Sequence, residues 1–316
     1  MEKISFIIPC YKSGNELIAV INEIKNTMHN IGKYGFEIIL VCDGSPDDTF
    51  ILISNICHKC DYVKGIDLAR NFGQHAAIMA GIQHASGDIL VFLDDDGQNP
   101  PHEVNILLDA INDGWDVVFG EYDSKQHSFL RNIGSWVNDF MARKLINKPK
   151  GLSITSFWAC KRYIGEEILK YKGAFPYIAG LIVRSTLRIY NVPITHRQRI
   201  NGRSGYTFSK LLSLWLNGFT SFSVKPLRIA TVCGCVIAAI GLLYAIYLVI
   251  LRIIHPDMAM GFTSLMAAIL VIGGMIMIML GLIGEYIGRI FMCINSTPQY
   301  VVRGKIGFEA DDDESS

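Results

Sequence analysis

The stretch VFLDDDGQNPP, residues 91–101, places three carboxylates directly after an apolar run. The apolar half is typical of a buried β-strand, and the Asp-Asp-Asp that follows marks the end of that strand. A second Asp-Asp-Asp, residues 311–313, lies in the polar sequence FEADDDESS, where water screens every charge. We therefore expect the protein to hold the first triplet in a defined place and the second to belong to a disordered acidic tail.

Short apolar runs alternate with amphipathic stretches around this segment. We predict strands at ISFIIPC, FEIILVCDGS, VKGIDLAR, DILVFLDDD and WDVVFG, with helices at NELIAVINEIKNTM, DDTFILISNICH and GQHAAIMAGIQHA between them. Such alternation indicates an α/β fold built from parallel βαβ units, which bind ligands at the carboxyl ends of their strands. Asp43 and Asp94 both lie at such ends. The sequence lacks the G-x-G-x-x-G turn and the G-x-x-x-x-G-K-[ST] loop of common nucleotide-binding folds.

Asp94 and Asp96 have i, i+2 spacing beyond a predicted strand, so their carboxylates can converge on one centre. Like charges at that separation repel, and a cation between them relieves the repulsion. A hard divalent ion with oxygen ligands, Mg²⁺ or Mn²⁺, is the natural occupant, and such ions share carboxylates with substrate phosphates. The alternative is a simple turn with a helix cap at Asn99, followed by Pro100 and Pro101.

Two long apolar runs without charge, residues 229–251 and 262–284, lie nearer the C-terminus. Each is long enough to cross a bilayer core of roughly 30 Å at about 1.5 Å per residue, and buried core helices are the weaker alternative. The linker RIIHPDMAMG is so short that the two runs must form an antiparallel hairpin. The basic residues that flank this hairpin indicate by the positive-inside rule that both termini are cytoplasmic. These residues are Lys225, Arg228, Arg289, Arg303 and Lys305.

The start of the sequence, the charge balance and the uncharged spans argue against a secreted protein, a nucleic-acid-binding protein and a transporter. The start MEKISFIIPCYKSG has too short an apolar core for a signal peptide, so the region before the hairpin is expected in the cytosol, at the inner membrane. Because 29 basic residues balance 29 acidic ones, nucleic acid is not an expected partner. A transporter gains no support from two short-looped spans without an intramembrane charge.

The segments IIPCY, VCDGSPDDT, RNFGQHAA and GDILVFLDDDGQNPP follow one another on the predicted elements. Together they resemble the family 2 glycosyltransferases of the GT-A fold, and more specifically the branch that moves a sugar from a nucleotide to a polyprenyl or dolichyl phosphate. That branch also carries a segment similar to RSGYTFSKL, a SFSVKPLR junction and two C-terminal spans, so the resemblance covers nearly the whole chain.

The resemblance implies four parts. Residues 1–205 would form a cytosolic, Rossmann-like GT-A domain, and residues 206–228 a juxtamembrane amphipathic helix, for which an internal core helix is the alternative. Residues 229–290 would contain the two transmembrane helices, at about 229–251 and 262–284. Residues 291–316 would form a cytosolic tail.

The resemblance also assigns roles to matching residues in the predicted donor pocket. Pro9 and Tyr11 would help to shape the base pocket, and Asp43 of CDGS would hold the nucleotide base or ribose. Arg70 and Asn71 of RNFG would help to build the pocket for base and diphosphate; a structural turn with a surface ion pair is the alternative.

Further roles fall on the Asp triplet. Asp94 resembles the residue that touches the ribose or metal, and Asp96 resembles the residue that binds the metal bridging the diphosphate. Gln98 would lie near the sugar. One departure concerns the usual Y-N-E-E after the first strand, which is interrupted here by an insertion before Asn15 and Glu16 and leaves their roles open.

A second departure is ITSFWACKR, residues 154–162, which lacks the Asp often proposed as general base in D-x-G-x-F-R-L of relatives. A phosphate monoester acceptor is mostly dianionic at pH 7 and can attack without a base, whereas an alcohol must lose a proton. A phosphate acceptor instead needs cations that position it. The candidates are Arg203 first, then Arg199 and Arg197, and more weakly Arg131, Lys161 and Arg162.

These observations predict a metal-dependent, inverting glycosyltransferase that moves a sugar from a UDP- or GDP-sugar to polyprenyl phosphate and forms a β-linked product. A processive polysaccharide synthase is disfavoured because Q-x-x-R-W is absent. A non-catalytic, nucleotide-binding membrane scaffold is the other alternative. Glycines in and after the second span allow close helix packing, either in a homo-oligomer or within the hairpin.

Overall fold

The computed structural model of the chain describes residues 1–122, 149, 151–195, 261–295 and 298–308, with scattered residues between 232 and 254. The chain divides into two compact units. One comprises Met1–Thr207 together with Ser296–Ser316, and the other comprises Phe208–Asn295.

The first unit is built on an eight-stranded mixed sheet with the order β7-β5-β6-β4-β1-β2-β3-β8. Its strands are β1 (Lys3–Cys10), β2 (Gly35–Cys42), β3 (Val63–Leu68), β4 (Ile89–Phe92), β5 (Val117–Tyr122), β6 (Trp158–Lys161), β7 (Ile189–Ile194) and β8 (Val302–Ile306). The five strands predicted from the apolar runs are β1 to β5, and the predicted α/β fold is confirmed. Sequence periodicity did not predict β6, β7 or β8.

The order of the strands creates a crevice beside β1. β1 pairs in parallel with β2 on one side and with β4 on the other, and β2 pairs in parallel with β3. The chain thus runs outward from β1 to β3 and then returns to place β4 across β1, which makes a topological switch point. Open α/β sheets bind ligands at such a point, outside the carboxyl ends of the strands.

Helices cover both faces of the sheet. They are α1 (Glu16–Ile31), α2 (Thr49–Cys57), α3 (Gln74–His84), α4 (Val104–Asn112), α5 (Arg162–Leu169) and α6 (Ile178–Ser185), with a short 3₁₀ turn at Pro101–Glu103. On one face, Phe6 and Ile8 of β1 join the core formed with α1, α2 and α4. On the other face, Gly81 of α3 lies so close to Ile7 that a Cβ there would be 2.3 Å from its side chain. Burial on both faces explains why the strands are almost continuously apolar.

The antiparallel strand β6 corrects two of the weaker acceptor-site predictions. β6 pairs with β4 so that Lys161 lies opposite Ile89, at the amino end of β4. Lys161 binds Asp116, and Arg162 binds Glu166. The prediction that Lys161 and Arg162 belong to the site was wrong, because the antiparallel direction carries them to the opposite end of the sheet from Asp94.

The second unit contains α7 (Phe262–Ile294), and the described residues between 232 and 254 are helical. Large apolar side chains in this unit are exposed, including Leu243, Met277 and Ile278. Within the part of the chain that the structure describes, no helix has the length and apolar character of a candidate membrane span.

Candidate active site

The Asp triplet lies at the mouth of the crevice, immediately beyond β4. Leu93 is still buried, and the chain then turns through Asp94, Asp95 and Asp96 to Gly97, whose φ of 74° is in the left-handed region that favours glycine. The backbone N–H of Gln98 donates to Asp96 Oδ1 at 3.0 Å and tightens this turn. The strand end therefore fixes where the carboxylates lie, as the sequence predicted.

Neighbouring elements hold Asp94 through neutral donors. Gln74 Nε2, at the start of α3, donates to Asp94 Oδ1 at 2.9 Å. The side chains of Ser156 and Asn99 also hydrogen-bond to Asp94. Tyr122 at the end of β5 donates its hydroxyl proton to Asn99 Oδ1. Three side chains thus hydrogen-bond to this carboxylate, and Tyr122 supports one of them, Asn99. Sequence reasoning had assigned a site role to none of the four residues.

The structure also decides the alternative reading of Asn99. The 3₁₀ turn after the triplet begins at Pro101, with Pro100 before it, so Asn99 is not its cap. Asn99 is 2% exposed, and its amide nitrogen lies 3.4 Å from Ser156 Oγ. Asn99 therefore supports the carboxylate end of the site and does not serve as a cap.

The electrostatics of the triplet favour a cation. Burial raises the pKa of Asp94, hydrogen bonds oppose this, and the charge of Asp96 raises it further. Burial also raises the pKa of Asp95 to about 6, although a hydrogen bond donated by the Ser13 hydroxyl opposes the change. A positive charge beside these acids would favour their ionised form and so offset the rise in pKa. Among the described residues, no group of three or more His, Cys, Asp and Glu side chains is arranged to hold a metal.

This donor set fits a divalent ion that completes its coordination with substrate and water. Mg²⁺ commonly binds through one or two carboxylates and substrate phosphates, without an all-protein cage. Asp94 and Asp96 supply two hard oxygen donors of this kind. Asp95, between them, is turned toward Ser13 of the β1–α1 loop.

The CDGS and RNFG segments form one packed pair of loops beyond β2 and β3. Asp43 is 4% exposed, and its two carboxylate oxygens accept the backbone N–H groups of Phe72 and Gly73, each at 2.8 Å. Burial raises the pKa of Asp43, while these hydrogen bonds lower it. Asp43 therefore shapes the RNFG loop directly, which the sequence did not predict. Its predicted contact with the base or ribose stays a prediction.

Gly44 explains how closely the two loops pack. Its φ is 56°, and a Cβ at this position would lie 2.1 Å from the carbonyl carbon of Arg70 and 2.4 Å from the nitrogen of Asn71. Only glycine fits such an approach. Arg70 and Asn71 are themselves exposed at the carboxyl edge of the sheet, where the guanidinium of Arg70 lies 4.8 Å from the ring centre of Phe72.

The loop after β1 joins these loops to the triplet. Pro9 is half-buried within β1, and Tyr11 is exposed just beyond it. The backbone N–H of Lys12 donates to Ser45 Oγ at 2.9 Å, and that of Ser13 donates to Thr49 Oγ1 at 3.1 Å. Ser13, which sequence reasoning missed, thus links Asp95 to the CDGS side of the crevice.

Nothing in the described residues bears on the predicted acceptor cations. Arg131, Arg197, Arg199 and Arg203 lie outside the described part of the chain, as does the predicted juxtamembrane amphipathic helix of residues 206–228. Their roles stay predictions.

Comparison with known proteins identifies the family. The profile of glycosyl transferase family 2 matches residues 5–170. The chain belongs to this family. It is therefore a glycosyltransferase, and the predicted family is confirmed. A second profile, the GtrB C-terminal hairpin, matches residues 225–290.

Curated relatives resemble the chain over almost its whole length. One is the undecaprenyl-phosphate 4-deoxy-4-formamido-L-arabinose transferase of Klebsiella pneumoniae (strain 342), 31% identical over 96% of this chain and 93% of the relative. The protein of the same name from Proteus mirabilis (strain HI4320) is 32% identical over 97% and 95%. These names contain the acceptor class that the sequence predicted.

Solved structures share the fold. Glucosyl-3-phosphoglycerate synthase from Mycobacterium tuberculosis superposes with a TM-score of 0.50 at 18% identity, covering 69% of this chain and 81% of that one. Its complex with Mn²⁺, uridine diphosphate and phosphoglyceric acid also has a TM-score of 0.50, at 19% identity, covering 74% and 78%. The first unit is thus a GT-A-like mixed α/β domain.

Proposed function

We propose that this glycosyltransferase moves a sugar from a UDP- or GDP-sugar to undecaprenyl phosphate, with inversion at the anomeric carbon, at the cytoplasmic face of the inner membrane. The observation that carries the proposal is the Asp94 and Asp96 pair at the topological switch point, beside the loops of Asp43 and Arg70. Curated relatives that match over nearly the full length are named for transfer to undecaprenyl phosphate, which supports the acceptor.

A divalent ion, Mg²⁺ or Mn²⁺, would be held by Asp94 and Asp96. When bound, it would neutralise charge on the diphosphate as that group leaves. The two carboxylates fit this role because the desolvation of Asp94 and its repulsion by Asp96 favour a cation beside them. A glycosyltransferase of the same fold has been solved with Mn²⁺ and uridine diphosphate together, which supports the choice of ion.

The donor would occupy the crevice between the ends of β1 and β4. Pro9 and Tyr11 would line the base pocket, and Asp43 would hold the base or ribose through the lone pairs that the loop amides leave available. Arg70 and Asn71 project from the RNFG loop toward solvent and would contact the base and diphosphate side. Gln98, two residues beyond Asp96, would lie near the sugar.

The reaction needs no proton transfer in this scheme. An oxygen of the acceptor phosphate attacks the anomeric carbon and forms the new C–O bond. The bond from that carbon to the diphosphate breaks, and its electron pair leaves with the nucleoside diphosphate. An α-linked donor gives a β-linked lipid product. Arg203, with Arg199, Arg197 and Arg131, would position the acceptor phosphate.

The second unit would anchor the enzyme in the bilayer. Its apolar runs lie within the segment matched by the hairpin profile, and its large apolar side chains are exposed, which water does not favour. Two antiparallel spans would place both termini, and hence the catalytic domain, in the cytoplasm. Residues 206–228 would lie along the interface, where a lipid phosphate is accessible. Glycines of α7 offer surfaces through which copies of the chain could pack.

The test is product formation in liposomes that contain undecaprenyl phosphate. The labelled donors would be UDP-glucose, UDP-galactose, UDP-N-acetylglucosamine, GDP-mannose and a nucleotide-linked 4-deoxy-4-formamido-L-arabinose. Each is tested with Mg²⁺, Mn²⁺ or EDTA. We expect one donor to yield a labelled lipid that EDTA and Asp96→Ala abolish, while Asp113→Ala, an exposed carboxylate at the end of α4, retains full activity.

Other outcomes would contradict the proposal in distinct ways. A folded protein that binds nucleotide but forms no lipid product with any donor would favour the non-catalytic scaffold. A polymer in place of a single-sugar lipid would favour a processive synthase.

A further inference from the structure

Residues 298–308, which we call the C-terminal strap, belong to the first unit, which we call the catalytic unit, although they follow the predicted hairpin in the chain. α7 ends at Ile294, so only residues 295–297 separate the strap from that helix. The sequence predicted a cytosolic tail here and gave it no role. Its contacts reach both sides of the candidate donor site.

The first set of contacts extends the sheet at the RNFG loop. β8 of the strap pairs antiparallel with β3, placing Val302 opposite Leu68. The pairing continues beyond the strand, because the carbonyl of Val301 accepts the backbone N–H of Ala69 at 2.9 Å. Ala69 is the residue immediately before Arg70. The strap thus fixes the backbone up to the first residue of the loop that Asp43 and Gly44 contact from the other side.

Arg303 adds an ion pair at the same place. The register shifts between Asp67 and Leu68, which is the irregularity that a β-bulge produces, and bulges redirect side chains. Arg303 Nε and Nη2 each lie 2.6 Å from Asp67 Oδ2. The Asp67 side chain is only 3% exposed, and its other oxygen, Oδ1, is buried without a hydrogen-bond partner. Arg303 therefore supplies charge compensation for a buried carboxylate.

Asp67 also lies close to the donor loops. It pairs in register with Cys42 of β2, the residue immediately before Asp43. Losing the guanidinium would leave a buried, uncompensated charge between the two strands that carry the CDGS and RNFG loops. Although the Arg303 side chain is 61% exposed, removing it is expected to be destabilising, because the carboxylate that it compensates is buried.

A second set of contacts leads from the strap to the Asp triplet. Gln299 Nε2 donates to the carbonyls of Tyr171 at 2.6 Å and Gly173 at 2.9 Å, and so holds the loop after α5. That loop ends at Tyr177, whose ring lies edge-on to the ring of His75, with 5.5 Å between centroids. His75 follows Gln74, the residue that donates to Asp94.

We infer that Arg303 and Gln299 of the C-terminal strap are positioning residues of the donor site, which hold the RNFG loop and the start of α3 in their binding geometry. The inference rests on the proposed function, because it concerns binding of the nucleotide donor. It makes donor affinity depend on the segment that joins the catalytic unit to the hairpin.

The test measures binding of UDP and of GDP, each with Mn²⁺, to the full-length protein in detergent by calorimetry. Arg303→Ala is expected to weaken binding about 3- to 30-fold, the range typical of mutations that act through a packed network. Lys305→Ala is the matched control, because it removes the same charge two residues along the same strand. Binding by this control is expected to change by less than about twofold.

A second readout separates positioning from general loss of structure. Hydrogen exchange in Arg303→Ala is expected to accelerate at residues 66–73 while β1, β2 and β4 keep wild-type protection. In kinetic assays the KM for the donor should rise more than kcat falls. Arg303→Lys and Gln299→Ala provide milder variants and decide the question if Arg303→Ala does not fold.

A double-mutant cycle with Asp67→Asn tests whether Arg303 acts on nucleotide binding through the Asp67 carboxylate. If Arg303 acts through the buried carboxylate, Arg303→Ala weakens nucleotide binding far less in the Asp67→Asn background than in the wild type. Equal nucleotide affinity and equal exchange at residues 66–73 in wild type, Arg303→Ala and Gln299→Ala would overturn the inference alone. Wild-type protein that binds neither nucleotide would overturn the proposed function and this inference with it.

Discussion

Carboxylates that are largely shielded from water occur at both ends of the central sheet, buried at the amino end and half-buried in the Asp triplet at the carboxyl end, and their surroundings differ. At the amino end, Glu37 of β2 is 2% exposed and accepts hydrogen bonds from the Ser5 hydroxyl and the Ser86 backbone. It also forms ion pairs with Lys3 and Lys64 at 3.1 and 2.9 Å. Burial alone would raise its pKa, but these partners lower it to about 2.

At the carboxyl end, neutral side chains hold two acids of the Asp triplet: Gln74, Ser156 and Asn99 hydrogen-bond to Asp94, and Ser13 donates to Asp95. The pKa values of Asp94 and Asp95 are raised, mainly by burial. The difference teaches that a buried acid beside two lysines serves the fold, whereas acids that repel one another and are held by neutral donors favour an external cation. Perturbed pKa values of the second kind are typical of functional sites.

The largest expected effect is a loss of activity when the Asp triplet, at the carboxyl end of the sheet, is changed. Asp96→Asn should lower kcat about 10²- to 10³-fold, because the electrostatic stabilisation of the leaving diphosphate is lost. In the metal-free protein the substitution also relieves the repulsion of Asp94 and Asp95, so the melting temperature should fall less than in Glu37→Gln. Lipid-product assays and calorimetry measure the two quantities. A large loss of stability would show that the triplet also serves the fold.

The next largest expected effect is a loss of stability when Glu37, at the amino end of the sheet, is changed. Glu37→Gln should reduce the free energy of unfolding by about 3 kcal/mol, because it leaves two lysines without their buried partner. Activity per folded molecule should not change. The folded pKa of Glu37, about 2, is below its ordinary value of 4.5, so its contribution is present above about pH 4.5 and is lost as the pH falls toward 2. Denaturation of both proteins across that window should show the difference between them shrinking; a constant difference would contradict this account.

The smallest expected effect is a gain in stability when Asp95 is changed. Asp95 has a folded pKa of about 6, above its ordinary 3.8, so the folded state holds a proton more tightly and loses stability as the pH rises from about 4 to 6. Asp95→Asn should therefore raise the melting temperature at pH 7 in EDTA by about 2–4 °C. The gain should vanish near pH 4. A gain that is equally large at pH 4 would remove titration of Asp95 as its cause.

Much of the fold was predictable because it depends on local patterns. Apolar runs of strand length and amphipathic stretches predicted β1 to β5 and α1 to α3, and these elements carry Asp43, Arg70 and Asp94. The contacts of the site were not predictable in the same way. Ser13 and Asp95 are 82 residues apart, and Asn99 and Ser156 are 57 apart, and no local signal connects them.

Two further features required the order and direction of the strands. Lys161 was a reasonable cation candidate until the antiparallel pairing of β6 placed it at the amino end of β4. The strap is the extreme case, since Arg303 and Asp67 are 236 residues apart. The short sequence VRGKI gives only a weak strand signal. It forms a strand because it pairs with the edge of β3.

The sequence by itself determined the α/β class, the family and the position of the carboxylates after a strand, because periodicity and motif spacing are properties of neighbouring residues. Only the tertiary structure decided which polar groups surround those carboxylates, which buried acid has its own cations, and that the end of the chain returns to the donor loops. These outcomes depend on strand order and packing, which join residues distant in the chain and which no local pattern encodes.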